Sequence, residues 1–367
     1  MDSVLEVLSN QEDFSIFIEE NLKLSTYVPL WKQEIPESEV EFSENGDFST
    51  YTAEYGRAIM ASLIEKNAMK PLRNMPTLGK IQGSIGRMGN MWQMDEDRLR
   101  KLRQMEGRFR DQSARWNAQK RETEWLRMVT FLFNPYEIAA IGPHKRLDFQ
   151  YFELLSNGTL TVDLDNNPDG ITIDPIDIGL KKYGVSVVWN MANLATMDPI
   201  GDLRRARDEA EVNGKKVIKF RMTPKTFRIM AASKQFNESV KLTIGNMEVT
   251  PAGLLGLDRV NQYLVGLGLP PIQEETKMIA IDEETSVNAF KDDRVVLQMA
   301  PVVAKMIVSE PLEAVDPHPN KVYSQFENNW ISTYRTEQGR FIENDMWATP
   351  IMTGAVNVQI IETDRAN

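Results

Sequence analysis

The most regular pattern of apolar and polar positions in the chain runs from Asp95 to Val129. Apolar residues in this stretch recur at spacings of three and four, which predicts a single long amphipathic helix. The stretch has no proline, and its acidic start suits the positive end of a helix dipole. At about 1.5 Å per residue the helix would be roughly 50 Å long, so we interpret it as a structural spine; a coiled-coil arm is the alternative. The apolar face consists of Leu99, Leu102, Met105, Phe109, Trp116 and Leu126.

The segments before this helix lack the pattern of a self-contained core. Residues 1–45 hold short apolar groups separated by acidic and polar residues, which predicts an N-terminal arm. Residues 46–93 follow as a second segment, and its part 66–93 contains Pro71, Pro76 and several glycines, which exclude a helix there. Loosely alternating apolar residues in this second segment predict a long extended hairpin. A loop of this length is either functional or disordered.

The remainder alternates between helix and strand signals, which predicts an α+β fold. Prolines at positions 135 and 143 predict a break after the spine. Asn157-Gly158 predicts a type I′ turn between strands at residues 149–155 and 159–164. Thr223-Pro224 predicts a helix start, because Thr caps helices and proline suits the first helical position. A charged helix is predicted at Leu203–Val212, after Asp198–Asp202. Further strands are predicted late in the chain, at residues 330–337 and 355–362.

Length and composition narrow the possible classes of protein. A chain of 367 residues is long enough for two or three domains. It contains no cysteine, which excludes disulfide frameworks, thiolate zinc sites and cysteine nucleophiles. Its two histidines, His144 and His318, lie beside prolines, and we expect both on the surface in turns. No apolar run is long enough to span a membrane and no secretory leader is visible, so we expect a soluble protein made inside the cell.

The charge is unevenly distributed along the chain. The net charge is −11 overall; residues 1–56 hold thirteen Asp and Glu against two Lys, whereas residues 57–93 hold six Lys and Arg against one Glu. Nucleic acid could contact the basic part. Because the opposite charges are adjacent and similar in extent, we favour contact between the acidic arm and the basic loop, within one subunit or between subunits. The candidate inter-subunit residues are Glu37, Glu39, Glu41 and Glu44 on one side and Arg73, Lys80 and Arg87 on the other.

Sites for catalysis, cofactors or metals are not predicted. Residues 165–170 match half of a calcium loop, but Ile176 stands where the last acidic ligand is needed, and an ordinary turn explains the composition. Asp174 and Asp177 could act as a carboxylate pair in a hydrolase, although a proline-containing strand end explains them equally well. No nucleophile, base and oxyanion site come together in the sequence, so we do not expect an enzyme.

The order of the predicted parts resembles the major capsid proteins of tailed phages, which have the Hong Kong 97-type fold. More narrowly, it resembles the lambda-type major capsid protein E family. The resemblance covers most of the chain and is one of order and pattern. Its residues are Asn157-Gly158 after the spine, Asp198–Asp202 with its helix, the strand–proline–helix step Val217–Pro224 with Phe227, and the tail Trp330, Tyr334–Pro350 and Val356–Ile361.

This resemblance implies a domain plan and a function. Residues 1–45 would form the N-terminal arm, 46–93 the extended loop, 94–198 with 326–367 the peripheral domain, and 199–325 the axial domain. Copies would assemble into hexamers and pentamers of an icosahedral shell, which encloses double-stranded DNA by non-specific contact. Portal, scaffolding or decoration proteins would be partners, with no membrane involved. Assembly would take place in the host cytoplasm, and the final location would be the virion. A shell protein of an encapsulin-like cellular nanocompartment is the alternative.

Overall fold

The computed structural model divides the chain into two compact units. Unit 1 comprises Met1–Phe48, Gly83–Asp148 and Met306–Pro350, and unit 2 comprises Ser49–Gln82, Phe149–Lys305 and Ile351–Asn367. Helices and strands are mixed in both, as the predicted α+β class requires. The structure describes residues 8–23, 28–53, 78–236, 238, 256–281 and 284–366.

The described α-helices differ greatly in length. The longest has 40 residues, and the shortest is a single turn. In chain order they are α1 (Gln11–Lys23), α2 (Leu30–Glu34), α3 (Glu96–Gln112), α4 (Ala118–Asn157), α5 (Pro199–Val212), α6 (Pro224–Ala231), α7 (Leu257–Gly266) and α8 (Leu312–Val315).

The described strands are mostly short. In chain order they are β1 (Val40–Phe42), β2 (Asp47–Ala53), β3 (Leu78–Ser84), β4 (Arg87–Met88), β5 (Met91–Met94), β6 (Thr159–Val162), β7 (Ile173–Asp177), β8 (Lys181–Val185), β9 (Lys219–Met222), β10 (Ile272–Glu274), β11 (Met278–Ala280), β12 (Ser286–Asn288), β13 (Arg294–Gln298), β14 (Lys305–Ser309), β15 (Val322–Phe326), β16 (Asn329–Thr336), β17 (Gly339–Ile351) and β18 (Val358–Ala366).

The predicted spine is two helices rather than one, so the prediction of a continuous helix is wrong. Helix α3 ends at Gln112, and a 3₁₀ turn at Ser113–Arg115 separates it from α4. Asn117 starts the second helix, because its side-chain oxygen accepts the backbone N–H of Lys120 at 2.8 Å, as an N-cap does. Asp95 caps α3 in the same way, accepting the N–H of Arg98 at 2.9 Å. The acidic start was therefore interpreted correctly, and the capping signal at Asn117 was missed.

The break predicted at the two prolines of α4 is also wrong, since Pro135 and Pro143 both lie inside the helix. A proline lacks the N–H that would bond the carbonyl four residues earlier. Pro143 removes the helical donor of the Ala139 carbonyl. This carbonyl instead accepts hydrogen bonds from the side-chain amides of Asn329 at 3.0 Å and Asn344 at 2.8 Å. Pro135 likewise removes the helical donor of the Phe131 carbonyl, which accepts a hydrogen bond from the guanidinium of Arg98 at 3.4 Å. Side chains from other elements thus replace the two missing donors.

Asn157-Gly158 ends a helix instead of turning a hairpin, so residues 149–155 are helical and not a strand. Gly158 has a φ of +71°, and its N–H bonds the carbonyl of Leu154 at 2.8 Å. A helix C-terminus and a type I′ turn both use a residue with positive φ, so the dipeptide suits either structure. The strand predicted after it is present: β6 pairs antiparallel with β7.

Unit 2 is built around a five-stranded mixed sheet in the order β10-β9-β13-β18-β8. Helix α6 starts as predicted, since Thr223 accepts the N–H of Thr226. Helix α5 starts four residues before the predicted Leu203, at Pro199, because Asp198 accepts the N–H of Gly201 and caps it. Strand β18 places the C-terminal residues in this sheet, between β13 and β8. The core combines buried side chains from sheet and helices, including Leu203, Phe220, Met230, Leu264, Val295 and Ile361.

Unit 1 is built around a sheet in the order β1-β14-β17-β16-β15, with β4 and β5 also paired to β17. Helices α1, α3 and the first part of α4 contribute buried apolar side chains to its core, together with sheet residues Ile331 and Ile342. The helical contributors include Phe14, Ile18, Leu102, Leu132, Tyr136 and Ala140.

Replacing Asn329 and Asn344 together by alanine is expected to lower the free energy of unfolding by about 1–3 kcal/mol, because it leaves the buried Ala139 carbonyl without a donor. Adding Pro143→Ala to that variant should recover part of the loss, since an alanine at this position restores the helical N–H. The midpoint of urea unfolding measures both effects. If Pro143→Ala has the same effect in the wild type and in the double variant, the proline and the asparagines are not coupled.

Candidate assembly surfaces

The N-terminal segment is folded against its own unit over the part that the structure describes. Phe14 of α1 is fully buried and meets the ring of Tyr136 edge to face, with centroids 5.6 Å apart. Gln11 bonds the backbone of Tyr323 twice, donating to the carbonyl at 2.5 Å and accepting the N–H at 2.8 Å. Because Tyr323 lies in the edge strand β15, this amide satisfies backbone groups that would otherwise be open to pairing.

A second anchor of this segment is Trp31, which is 2% exposed. Its backbone N–H donates to the carboxylate of Asp148 at 2.7 Å, and its indole N–H donates to Nδ1 of His144 at 3.4 Å. The neighbouring Lys32 forms an ion pair with Glu327. The backbone and indole ring of Trp31 and the ammonium group of Lys32 are therefore all bonded to other parts of unit 1.

His144 is fully buried, so the prediction that it lies on the surface is wrong. The reason is the continuity of α4 through Pro143, which keeps the histidine on a helix instead of in a turn. Because Nδ1 accepts from Trp31, the neutral ring carries its proton on Nε2, 3.7 Å from a carboxylate oxygen of Glu327. Burial lowers the pKa of His144 to about 4, against the opposing effect of Glu327. His318 is exposed, as predicted.

The four predicted acidic contact residues lie close together in the chain at one edge of unit 1. Glu37 and Glu39 form a 3₁₀ turn, and Glu41 lies in β1, which pairs in parallel with β14. Glu37, Glu41 and Glu44 are exposed, and Glu39 is half-buried. Beside them, Phe42 is 57% exposed. We name residues 34–47 the acidic edge; they include six carboxylates and no lysine or arginine.

Within the predicted extended loop, β2 and β3 form a two-stranded ribbon, and β4 and β5 at the end of the loop pair with β17. The middle of the loop, residues 54–77, lies outside the described residues, and so does the candidate Arg73. Lys80 lies in β3. At the base of the ribbon, a Cβ on Gly83 would come within 2.9 Å of the Phe48 ring, so only glycine allows this close approach.

Arg87, the third basic candidate, has a carboxylate partner within its own chain. Strand β4 pairs with β17, and the Arg87 guanidinium bonds Asp345, with its shortest contact at 2.6 Å. This hydrogen bond raises the pKa of Arg87. The Arg87 side chain is still 63% exposed, whereas that of Asp345 is 9% exposed. Contact of Arg87 with the acidic residues of a neighbour stays a prediction.

Helices α3 and α4 contact each other along a charged hairpin that the sequence did not predict. Near its base, the guanidinium of Arg98 lies 4.9 Å from the ring centroid of Phe131. Near its end, the rings of Phe109 and Trp125 are 5.7 Å apart. Leu102 is the buried residue of α3, so most of this helix faces solvent. The signal that could have revealed the hairpin is the Asn117 cap, which ends the spine pattern and starts a new helix.

Local backbone groups account for the turn considered for calcium and for Asp177. Asp163 accepts the N–H groups of Asp165 and Asn166, each at 3.1 Å, which closes the loop considered for calcium. Asp177 accepts the N–H of Gly179 at 2.9 Å, and Asp174 lies in the same strand, β7. Among the described residues no three His, Asp or Glu side chains are grouped to hold a metal ion. Within that same part, the helices are too short or too polar to cross a bilayer.

Comparison by sequence finds no matching family model and no match among curated proteins. Comparison of structures finds a protein described as the capsid protein of an Escherichia coli CFT073 prophage, with 11% identity, a TM-score of 0.52, and coverage of 96% of this chain and 98% of that one. The capsid of Myoviridae phage XM1 has 12% identity and a TM-score of 0.43, covering 91% of each chain. A virus-like particle from Pyrococcus furiosus has 9% identity and a TM-score of 0.38, covering 96% and 98%.

The likeness to the prophage protein extends over nearly the whole of both chains at a TM-score above 0.5. The two proteins therefore share a fold. The sequence-based prediction of the Hong Kong 97-type capsid fold is confirmed, as is its α+β class.

The buried histidine should make unit 1 less stable in acid. Since the pKa of His144 falls from 6.5 to about 4 on folding, the unfolded chain binds a proton between these values and the folded chain does not. Stability is then full above pH 6.5 and is lost as the pH falls towards 4, by about 3 kcal/mol for this group. Urea unfolding of the wild type and of His144→Gln at several pH values isolates the contribution. The exposed His318→Gln variant is the control and should follow the wild type; equal pH slopes for His144→Gln and wild type would contradict the assignment.

Proposed function

We propose that this chain is the major capsid protein of a tailed phage. One observation carries the proposal: over 96% of its length the chain has the fold of a protein described as a prophage capsid protein. In this proposal, copies assemble into hexamers and pentamers that close into an icosahedral shell around double-stranded DNA. The shell protein acts as a structural component and not as an enzyme. It is part of the virion after assembly in the host cytoplasm.

Exposed apolar residues of the single copy support association. In unit 1, Leu312 and Val315 of the short helix α8 are 77% and 78% exposed. In unit 2, Met191 and Val265 are 68% and 58% exposed. Each would gain roughly 25 cal/mol for every Å² of apolar surface removed from water by a neighbouring copy. Self-assembly is the simplest way for a chain of this fold to bury them.

The domain plan is part of the proposal. Unit 1 contains residues 94–148 and 326–350 of the proposed peripheral domain, and unit 2 contains residues 199–305 of the proposed axial domain. The division differs from the plan at three places: residues 149–198 and 351–367 lie in unit 2, and residues 306–325 lie in unit 1. Portal, scaffolding and decoration proteins, together with DNA held by non-specific contact, are the proposed partners.

Purified wild-type protein is expected to form closed particles or the rings from which they are built. Sedimentation velocity and electron microscopy measure this directly, and nuclease protection tests the particles for enclosed DNA. A monomer that remains monomeric at concentrations of tens of micromolar would contradict the proposal; concentrations of this order suffice for most specific protein interfaces. Shells that carry an enzyme cargo in place of DNA would favour the nanocompartment alternative.

The proposed ionic contacts between subunits give a second test. Charge reversal at Arg73 and Arg87 should reduce assembly, because these residues would then repel Glu37, Glu39, Glu41 and Glu44 of a neighbour. Asp345→Asn is the matched control, since it disrupts the pair that Arg87 makes within its own chain and leaves the basic charge in place. Normal shells from the Arg73→Glu, Arg87→Glu variant would show that these pairs do not drive assembly.

A further inference from the structure

The end of the α3–α4 hairpin is strongly basic. We name residues 108–121 the hairpin tip; they include five basic residues and one acidic residue, Asp111. The side chains of Arg110 and Asp111 are 84% and 72% exposed, and their ion pair at 3.6 Å is a solvent-exposed one of small energetic value. The tip therefore presents a net positive charge. Its basic residues, all exposed, are Arg108, Arg110, Arg115, Lys120 and Arg121.

An aromatic cluster underlies these charges. Phe109 meets Trp116 edge to face at 6.0 Å, and the ammonium of Lys120 lies 5.4 Å from the centre of a Trp116 ring. Trp125 and Leu126, on the next turns of α4, are 36% and 54% exposed. Aromatic and basic side chains held in this way are the residue types that contribute most to protein interfaces. The tip thus combines positive charge with apolar surface that can still be buried.

The acidic edge has the complementary properties. Its six carboxylates stand in a segment without basic residues, and Phe42 supplies exposed apolar surface beside Glu41 and Glu44. Both surfaces belong to unit 1, so each copy carries one of each kind. A contact between unlike patches on identical copies is heterologous, and it forms a ring when the rotation from copy to copy closes.

We infer that the hairpin tip of one copy docks on the acidic edge of a second copy. This inference rests on the proposed shell function, but it assigns the acidic edge to the hairpin tip in place of Arg73, Lys80 and Arg87, the partners considered above. Complementary charge selects the partner and aligns it, while Trp125 and Leu126 on one side and Phe42 on the other lose their exposed apolar surface. Nucleic acid is the competing occupant of the tip, and the experiments separate the two.

A charge swap tests the contact. The tip variant Arg110→Glu, Arg115→Glu, Lys120→Glu and the edge variant Glu37→Lys, Glu41→Lys, Glu44→Lys should each reduce the sedimenting particle fraction by about tenfold or more, since like charges then face each other. A chain that carries all six changes restores opposite charges and should regain particles. Recovery excludes nucleic acid as the occupant, because DNA would not be attracted to an acidic tip. Recovery would also show that the acidic edge contacts the tip and not Arg73, Lys80 or Arg87. These three residues stay basic in the swapped chain and would repel a basic edge.

Three outcomes would overturn the inference. In the first, the tip variant assembles as well as the wild type. In the second, it assembles but its particles no longer enclose DNA. In the third, the six-residue swap does not recover particles although circular dichroism shows that the chain is folded. The first two leave the proposed shell function standing, so failure of the inference and failure of the function are distinguishable.

Cross-linking supplies a test that does not depend on closed shells. Because the chain has no cysteine, Glu44→Cys and Arg115→Cys can be placed in separate, differently tagged copies and treated with a short bismaleimide. A cross-linked heterodimer is expected on a denaturing gel. The control replaces Glu44→Cys by Val212→Cys, at a position that is 62% exposed in unit 2. A yield no higher than this control would overturn the inference, whether or not the wild type forms particles.

Discussion

The structure of unit 1 depends on two backbone carbonyls that prolines leave without helical donors. Helix α4 continues through Pro135 and Pro143 because Arg98 bonds the Phe131 carbonyl and two asparagines bond that of Ala139. A buried carbonyl without a donor, such as that of Ala139, costs about 1–3 kcal/mol, so these side chains stabilise the helix at its prolines. They also connect α4 to α3 and to the sheet. The buried face of the helix then supplies much of the core on which the N-terminal segment packs.

That packing determines which surfaces are left for other molecules. The N-terminal segment is bound at Gln11 and Trp31, and the acidic edge follows directly after the second anchor. The α3–α4 hairpin is held at its base by Arg98, which leaves its basic and aromatic tip exposed. One asymmetric subunit thus presents a basic and an acidic surface from the same unit. Such a subunit suits head-to-tail association in rings, the arrangement that the proposed shell requires.

Features that depend on residues close together in the chain, such as helix starts, could be predicted from the sequence. The helix cap at Thr223 and the acidic first turn of α3 were predicted correctly, because each depends on residues within one turn. The prolines of α4 were misinterpreted, since Asn344 is 205 residues from the carbonyl that it bonds and no local pattern reveals it. His144 was misplaced for the same reason: its partner Trp31 is 113 residues away. The order of elements nevertheless predicted the fold, whereas the contacts that the loop around Arg73 makes stay a prediction.

We propose that identical copies of this fold close into a shell. The most direct measurement is an electron cryo-microscopy reconstruction of the purified protein at a resolution that traces the chain. We expect an icosahedral lattice of six- and five-membered rings whose subunits contain units 1 and 2. A reconstruction or scattering profile that shows only isolated subunits, or a small oligomer without rings, would contradict the claim.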